Sequence, residues 1–149
     1  MEKEVEELLI RYAAGERNFA GIYMDVSDMA NIDLSGSDLS DSNLSEIQMV
    51  GINLSGANLR ITSFGQSCLD NANLSGADLT GAKFGHASLN GADLTNAKLI
   101  GAYLASADMI RTNLTGADLT GADVEGAWIE EVIFCNTIMP DGSLRTDNA

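Results

Sequence analysis

The chain has 149 residues, with 22 acidic against 8 basic side chains and a formal charge of −14. That balance excludes a general nucleic-acid binder, which needs a basic footprint, and fits solubility, a basic protein partner or mimicry of a polyanion. One domain is expected at this length, and no apolar run is long enough to span a membrane.

The chain begins Met1-Glu2-Lys3-Glu4-Val5-Glu6-Glu7, acidic where a secretory signal is basic, so a cytoplasmic protein is expected. Val5, Leu8, Leu9, Tyr12 and Ala13 then recur at i, i+3, i+4, i+7 and i+8, which predicts an amphipathic helix of about three turns. Glutamates crowd its first half, Arg11 lies near its end, and Gly15 suits a left-handed C-cap. Residues 1–16 are read as a cap whose apolar side is Val5, Leu8, Leu9 and Tyr12; a partner-binding helix is the alternative.

From Phe19 to Met139 every fifth residue is apolar: fourteen Leu, five Met, four Phe, Val124 and Ile129. A period of five is neither the 3.6 of a helix nor the 2.0 of a strand. It signals units that bury their apolar residue only by stacking on neighbours. The residue two before each grid position is small or apolar, as in Ala57, Ala72 and Ala92, or Ile32, Ser37 and Ile47. No charge enters this slot between Ile22 and Thr137, so both slots are expected to point inward. The other three slots collect Asp, Asn, Ser, Thr, Gly, Lys and Glu, and face water. Glycine recurs two residues after the grid position, where a type II turn needs positive φ. Val26 and Ile61 occupy the same slot, and their bulk predicts a different turn type at those corners.

Units such as Ala72-Asn73-Leu74-Ser75-Gly76 and Ala117-Asp118-Leu119-Thr120-Gly121 match the A(D/N)LXX signature, and the chain resembles the pentapeptide-repeat proteins. There are 24 consecutive units from Arg17 to Asn136. The resemblance implies an all-β solenoid, a right-handed quadrilateral parallel β-helix with four units per coil and hence about six coils. At a strand-like spacing of about 4.8 Å, such a rod is roughly 29 Å long. The division is then a capping helix over 1–16, a β-helix over 17–139 and a C-terminal tail over 140–149. With twenty residues per coil, Phe64 and Phe84 are expected to stack in one interior column.

Residues twenty apart share a face. One outward column reads Asp33, Asn53, Asn73, Asp93 and Asn113; its neighbour reads Asp38, Asn58, Asp78, Lys98 and Asp118. Interleaved Asn makes sense in such a stack, since carboxylates about 5 Å apart repel while an amide can donate a hydrogen bond. The last three outward slots carry Trp128, Ile133 and Ile138 instead, an apolar contact patch at the C-terminal end. Either the tail folds back, with Leu144 covering part of this patch, or two molecules meet end to end. Monomer and C-terminal homodimer both remain open.

Chemistry is hard to find. His86 is the only histidine and falls on a corner; no Cys/His cluster has metal-ligand spacing; no serine or threonine has a histidine partner. Cys68 and Cys135 lie 67 residues apart, more than three coils, too far for a disulfide. No catalytic residue, metal or cofactor is expected. The reading is a non-catalytic scaffold with an unidentified protein partner, like the many short cyanobacterial members of the family it resembles. The resemblance also allows an alternative, since some bacterial members mimic duplex DNA and bind type II topoisomerases. The two Asp/Asn columns would then be the contact face, while Lys83, Lys98 and Arg111 break the acidic surface.

Overall fold

The computed structural model describes residues 2–148; Met1 and Ala149, the outer limits of the predicted cap and tail, lie outside the described residues. Parallel bridges join residues twenty apart along the whole rod, from Asn18 with Asp38 to Asp118 with Ile138. Four five-residue units therefore make one coil of a right-handed quadrilateral β-helix. Each unit within the rod is hydrogen-bonded to the coils before and after it. Leu34 N–H donates to Asn53 O at 2.9 Å, Gly36 N–H to Ser55 O at 2.9 Å, and Asp38 N–H to Arg17 O at 2.8 Å. The regular offset lets a chain of very short extended pieces satisfy its backbone without long strands.

The grid residues fill the interior. From Phe19 to Leu119 none is more than 5 % exposed. The slot two before each is buried as well, from Ser27 to Ala122. Where that slot holds a hydroxyl, it usually donates to a carbonyl of the preceding coil. Thr62 donates to Leu39 O at 2.7 Å, Ser67 to Leu44 O at 2.6 Å, and Thr112 to Leu89 O at 2.9 Å. Among the described residues Ser37 is the buried hydroxyl with no partner.

At nearly every corner the residue two past the grid position has positive φ, whether glycine or not. Val26 departs from this, as its bulk predicted, but Ile61 does not: its φ is +59°. The expectation of a different turn at Ile61 is corrected. Its N–H donates to Thr80 O at 3.0 Å and Thr62 N–H closes back on Leu59 O at 3.2 Å, so the coil-to-coil ladder imposes the common corner on a β-branched residue.

Helix α1 (Lys3–Ala13) places Val5 and Leu8 in the core, with Leu9 and Tyr12 packed against it half-buried. The Tyr12 hydroxyl donates to Ser35 O at 2.8 Å, tying the helix to the first coil. Ala13 is exposed. The helix stops in a Schellman arrangement: Gly15 has φ +97°, its N–H donates to Tyr12 O, and Glu16 N–H donates to Arg11 O. Arg17 lies outside the core with its guanidinium 3.6 Å from the Tyr12 ring centroid, a cation–π contact at the rim of the lid.

At the other end the tail folds back. Strand β1 (Ile133–Ile138) bridges the preceding coil on one edge, and β2 (Leu144–Asn148) pairs antiparallel with its other edge. Arg145 lies with its guanidinium 3.9 Å from the Phe134 ring centroid. The turn between the strands is closed by Met139 N–H to Ser143 O and Gly142 N–H to Met139 O, both at 2.8 Å. The lid is a backbone pairing, not the apolar cover expected of Leu144, which is 67 % exposed.

Candidate interaction surfaces

The two Asp/Asn columns stand on outer faces, but their oxygens are not simply on display. Asp33 Oδ1 accepts the N–H of Ser35 at 3.0 Å, and Asn53, Asn73, Asp93 and Asn113 accept likewise from the residue two ahead. The neighbouring column repeats the pattern at Asp38, Asn58, Asp78 and Asp118. Hydroxyls of Ser40, Ser55, Ser75, Thr80, Thr115 and Thr120 donate to the same atoms at 2.6 to 2.7 Å. Asp and Asn thus serve the turn first, each through one oxygen. No Asn amide in these columns donates to an Asp above or below it among the described residues, so the interleaved Asn ease repulsion by being uncharged. An inter-coil tie does come from Arg60, which reaches Asp78 at 3.3 Å.

These bonds move the carboxyls. The backbone N–H and hydroxyl of Ser35 hold Asp33 below the usual carboxylate range, and the hydroxyl and N–H of Ser40 do the same for Asp38. At Asp78 partial burial opposes the shift, but the Thr80 hydroxyl and N–H, with Arg60, prevail and lower it. Asp33, Asp38 and Asp78 therefore stay ionised further into acid than a free carboxyl.

The apolar end is partly covered. Trp128 is 58 % exposed and Ile133 41 %, while Ile138, whose backbone pairs with Leu144, is half-buried. The Trp128 Nε1–H donates to Glu130 Oε2 at 2.9 Å. Ile129, on the five-residue grid and so expected to point inward, is instead 37 % exposed, because no coil lies beyond it.

Cys68 and Cys135 are both free, and burial pushes the Cys68 thiol up, away from a reactive thiolate. Among the described residues no group of three or more His, Cys, Asp or Glu is placed to hold a metal ion. No helix among them is long and apolar enough to cross a membrane. The two larger concavities are open to solvent, one of about 550 Å³ beside Glu2, Asp28 and Ile32, and a groove of about 500 Å³ beside Gly65, Lys83, Gly85 and Tyr103; a smaller one of about 180 Å³ lies beside Tyr23, Val26 and Glu46. The groove carried no motif, although the loss of Asx from three successive outward slots, Ser63, Lys83 and Tyr103, marks it in the sequence.

A solenoid of five-residue units, closed inside and lidded at both ends, with its polar residues built into its corners, is a β-helical repeat protein. The sequence pattern of pentapeptide repeats matches residues 18–56, 57–96 and 97–134 in eight copies, and the chain belongs to the pentapeptide-repeat family. Its fold is similar to that of the pentapeptide repeat protein Rfr23 from the cyanobacterium Cyanothece 51142, with a TM-score of 0.70 and 27 % identity over 83 % of this chain and 97 % of that one. A pentapeptide repeat protein of the Arabidopsis thaliana thylakoid lumen matches with a TM-score of 0.51 and 37 % identity, over 65 % of this chain and 64 % of that one. The plasmid-mediated fluoroquinolone resistance protein QnrB1 matches at a TM-score of 0.43 and 22 % identity over 74 % of this chain and 72 % of that one, too distant to compare surfaces. No curated protein matches in sequence.

Proposed function

We propose that the chain is a non-catalytic protein-interaction scaffold. The observation that carries this reading is the interior: Leu, Phe and Ala columns at 0 to 2 % exposure fill the middle of the rod, so polar groups meet other molecules on flat faces or at the ends. Catalysis is favoured by a recess that excludes water and aligns groups; the two larger recesses here are broad and open. Affinity capture from the native host, followed by reconstitution of the purified pair, tests the reading. A saturable, stoichiometric complex is expected; failure of every captured protein to bind when purified contradicts it. Light scattering at micromolar concentration separates a monomer from an end-to-end dimer, for which Trp128, Ile129 and Ile133 offer apolar surface.

A DNA-mimicking binder of a type II topoisomerase is the second reading, supported by the charge of −14 and the Asp/Asn columns. Each carboxylate has one oxygen committed to its own turn, and Lys98 interrupts the column between Asp78 and Asp118. A gyrase supercoiling assay separates the two. The scaffold reading expects no effect at large molar excess, and stoichiometric inhibition favours the mimic.

A further inference from the structure

One edge of the rod departs from the pattern that governs the others. In a standard unit the N–H one past the grid residue donates to the Oδ1 of the Asp or Asn two before it, at distances between 2.9 and 3.2 Å. In three consecutive coils of one face that outward slot holds Ser63, Lys83 and Tyr103. The N–H groups of Gly65, Gly85 and Ala105 are left without a protein acceptor among the described residues. The row is bracketed by ordinary units of the same column: Ser45 N–H donates to Asn43 Oδ1 and Glu125 N–H to Asp123 Oδ1, both at 3.0 Å. Other corners with an open N–H carry a bulky or acidic side chain at that residue, as at Val50, Asp70 and Ile100.

Two of the open donors, Gly65 and Gly85, line the groove of about 500 Å³ together with Lys83 and Tyr103, and Ala105 follows Tyr103 in the next coil. Tyr103 lies over Gly85, where an added Cβ would be 3.2 Å from its Cε1. Lys83 is exposed at the rim. The face between Ser63 and Ser106 carries no carboxylate in its outward slots or corners: Gln66, His86 and Ser106 follow the three donors. On a chain of net charge −14 this is a local reversal of sign.

We propose that this groove is a docking surface for a short acidic segment of a protein partner, whose carboxylates take the places that Asp and Asn side chains fill on the other faces. The molecule itself shows which atom suits these donors, a carboxylate or amide oxygen about 3 Å away. Three donors about 4.8 Å apart with one cation beside them fit a few carboxylates. They do not fit a nucleic acid, whose many phosphates would meet the acidic columns on the adjoining faces. The inference rests on the scaffold reading and names the chemistry of one partner surface.

Amide-resolved NMR titration of the full chain tests it, with acetylated and amidated tetraglutamate as the probe and tetraglutamine as the control. Saturable shifts of the Gly65, Gly85 and Ala105 amides are expected, with a dissociation constant on the order of a millimolar that rises with salt. Lys83→Asp removes the cation and supplies Gly85 with the internal acceptor of a standard unit. It should keep the fold, checked by its melting, and weaken binding about tenfold. Immobile amides, an equal response to tetraglutamine, an unchanged response in Lys83→Asp, or shifts with inorganic phosphate but not with tetraglutamate would each overturn the proposal. Such a result removes this surface alone; the scaffold reading stands or falls on reconstitution of a captured complex.

Discussion

Phe64 and Phe84, twenty residues apart, stack inside the rod with ring centroids 4.9 Å apart and planes 7° from parallel. Both rings are fully buried. The pair is the coil repeat made visible, because only four units per turn bring these positions into contact. Phe84→Ala should cost about 3 to 5 kcal/mol through lost burial and the cavity left behind. A double-mutant cycle with Phe64→Ala in urea unfolding should return a coupling of about 0.5 to 1.5 kcal/mol. Strict additivity would contradict the contact.

Ser37 occupies an interior slot that alanine fills in most later units, and its hydroxyl is buried with no partner. Ser37→Ala should therefore stabilise the protein by about 1 kcal/mol, read as a higher urea midpoint at unchanged slope. Thr62→Ala makes the control, since its hydroxyl donates to Leu39 O at 2.7 Å. That change should leave a buried carbonyl short of a donor and destabilise.

Ile61 holds a left-handed backbone with its side chain 50 % exposed, so it gains little burial for its strain. Asparagine takes the same slot and the same φ at Asn31, Asn71 and Asn96. Ile61→Asn should raise stability by about 1 kcal/mol, measured by thermal unfolding. A lower midpoint would mean that Ile61 contributes packing that outweighs its strain.

Asp33, Asp38 and Asp78 have lowered folded-state pKa values, so their contribution is present above the unfolded carboxyl value of about 3.9 and is lost as pH falls through the folded values. Asp38→Asn keeps an Oδ1 acceptor for Ser40 N–H but cannot titrate. At pH 7 its melting temperature should lie close to that of the parent; from about pH 4 downward it should fall less steeply. Parallel acid limbs in the two proteins would refute the role given to this carboxyl.

Much of this was legible in the sequence, for a physical reason. A solenoid repeats one local environment, so the five-residue phase identifies the buried columns, the Phe64–Phe84 stack and the apolar side of α1. What the pattern could not show depends on contacts between coils or on backbone pairing. Ile61 adopts the common corner because its N–H is committed to Thr80 of the next coil, whatever its own preference. β2 pairs through its backbone while Leu144 stays exposed, so no hydrophobic signal marks it. The Asp and Asn columns read as displayed charge, yet one oxygen of each serves its own turn. The open donors of Gly65, Gly85 and Ala105 become visible only once that service is recognised.

Removal of one whole coil tests most directly the claim that the chain is a stack of interchangeable five-residue units around a filled interior. Deleting residues 89–108 joins Ser88 to Met109 and keeps every later residue in its slot. Deleting residues 89–106 joins Ser88 to Ala107 and throws Met109, Leu114 and Leu119 onto corners. Far-UV circular dichroism with thermal unfolding should show a cooperative β-rich protein for the first, melting lower than the parent, and no cooperative transition for the second. Equal folding of both, or failure of the in-phase deletion to fold, would contradict it.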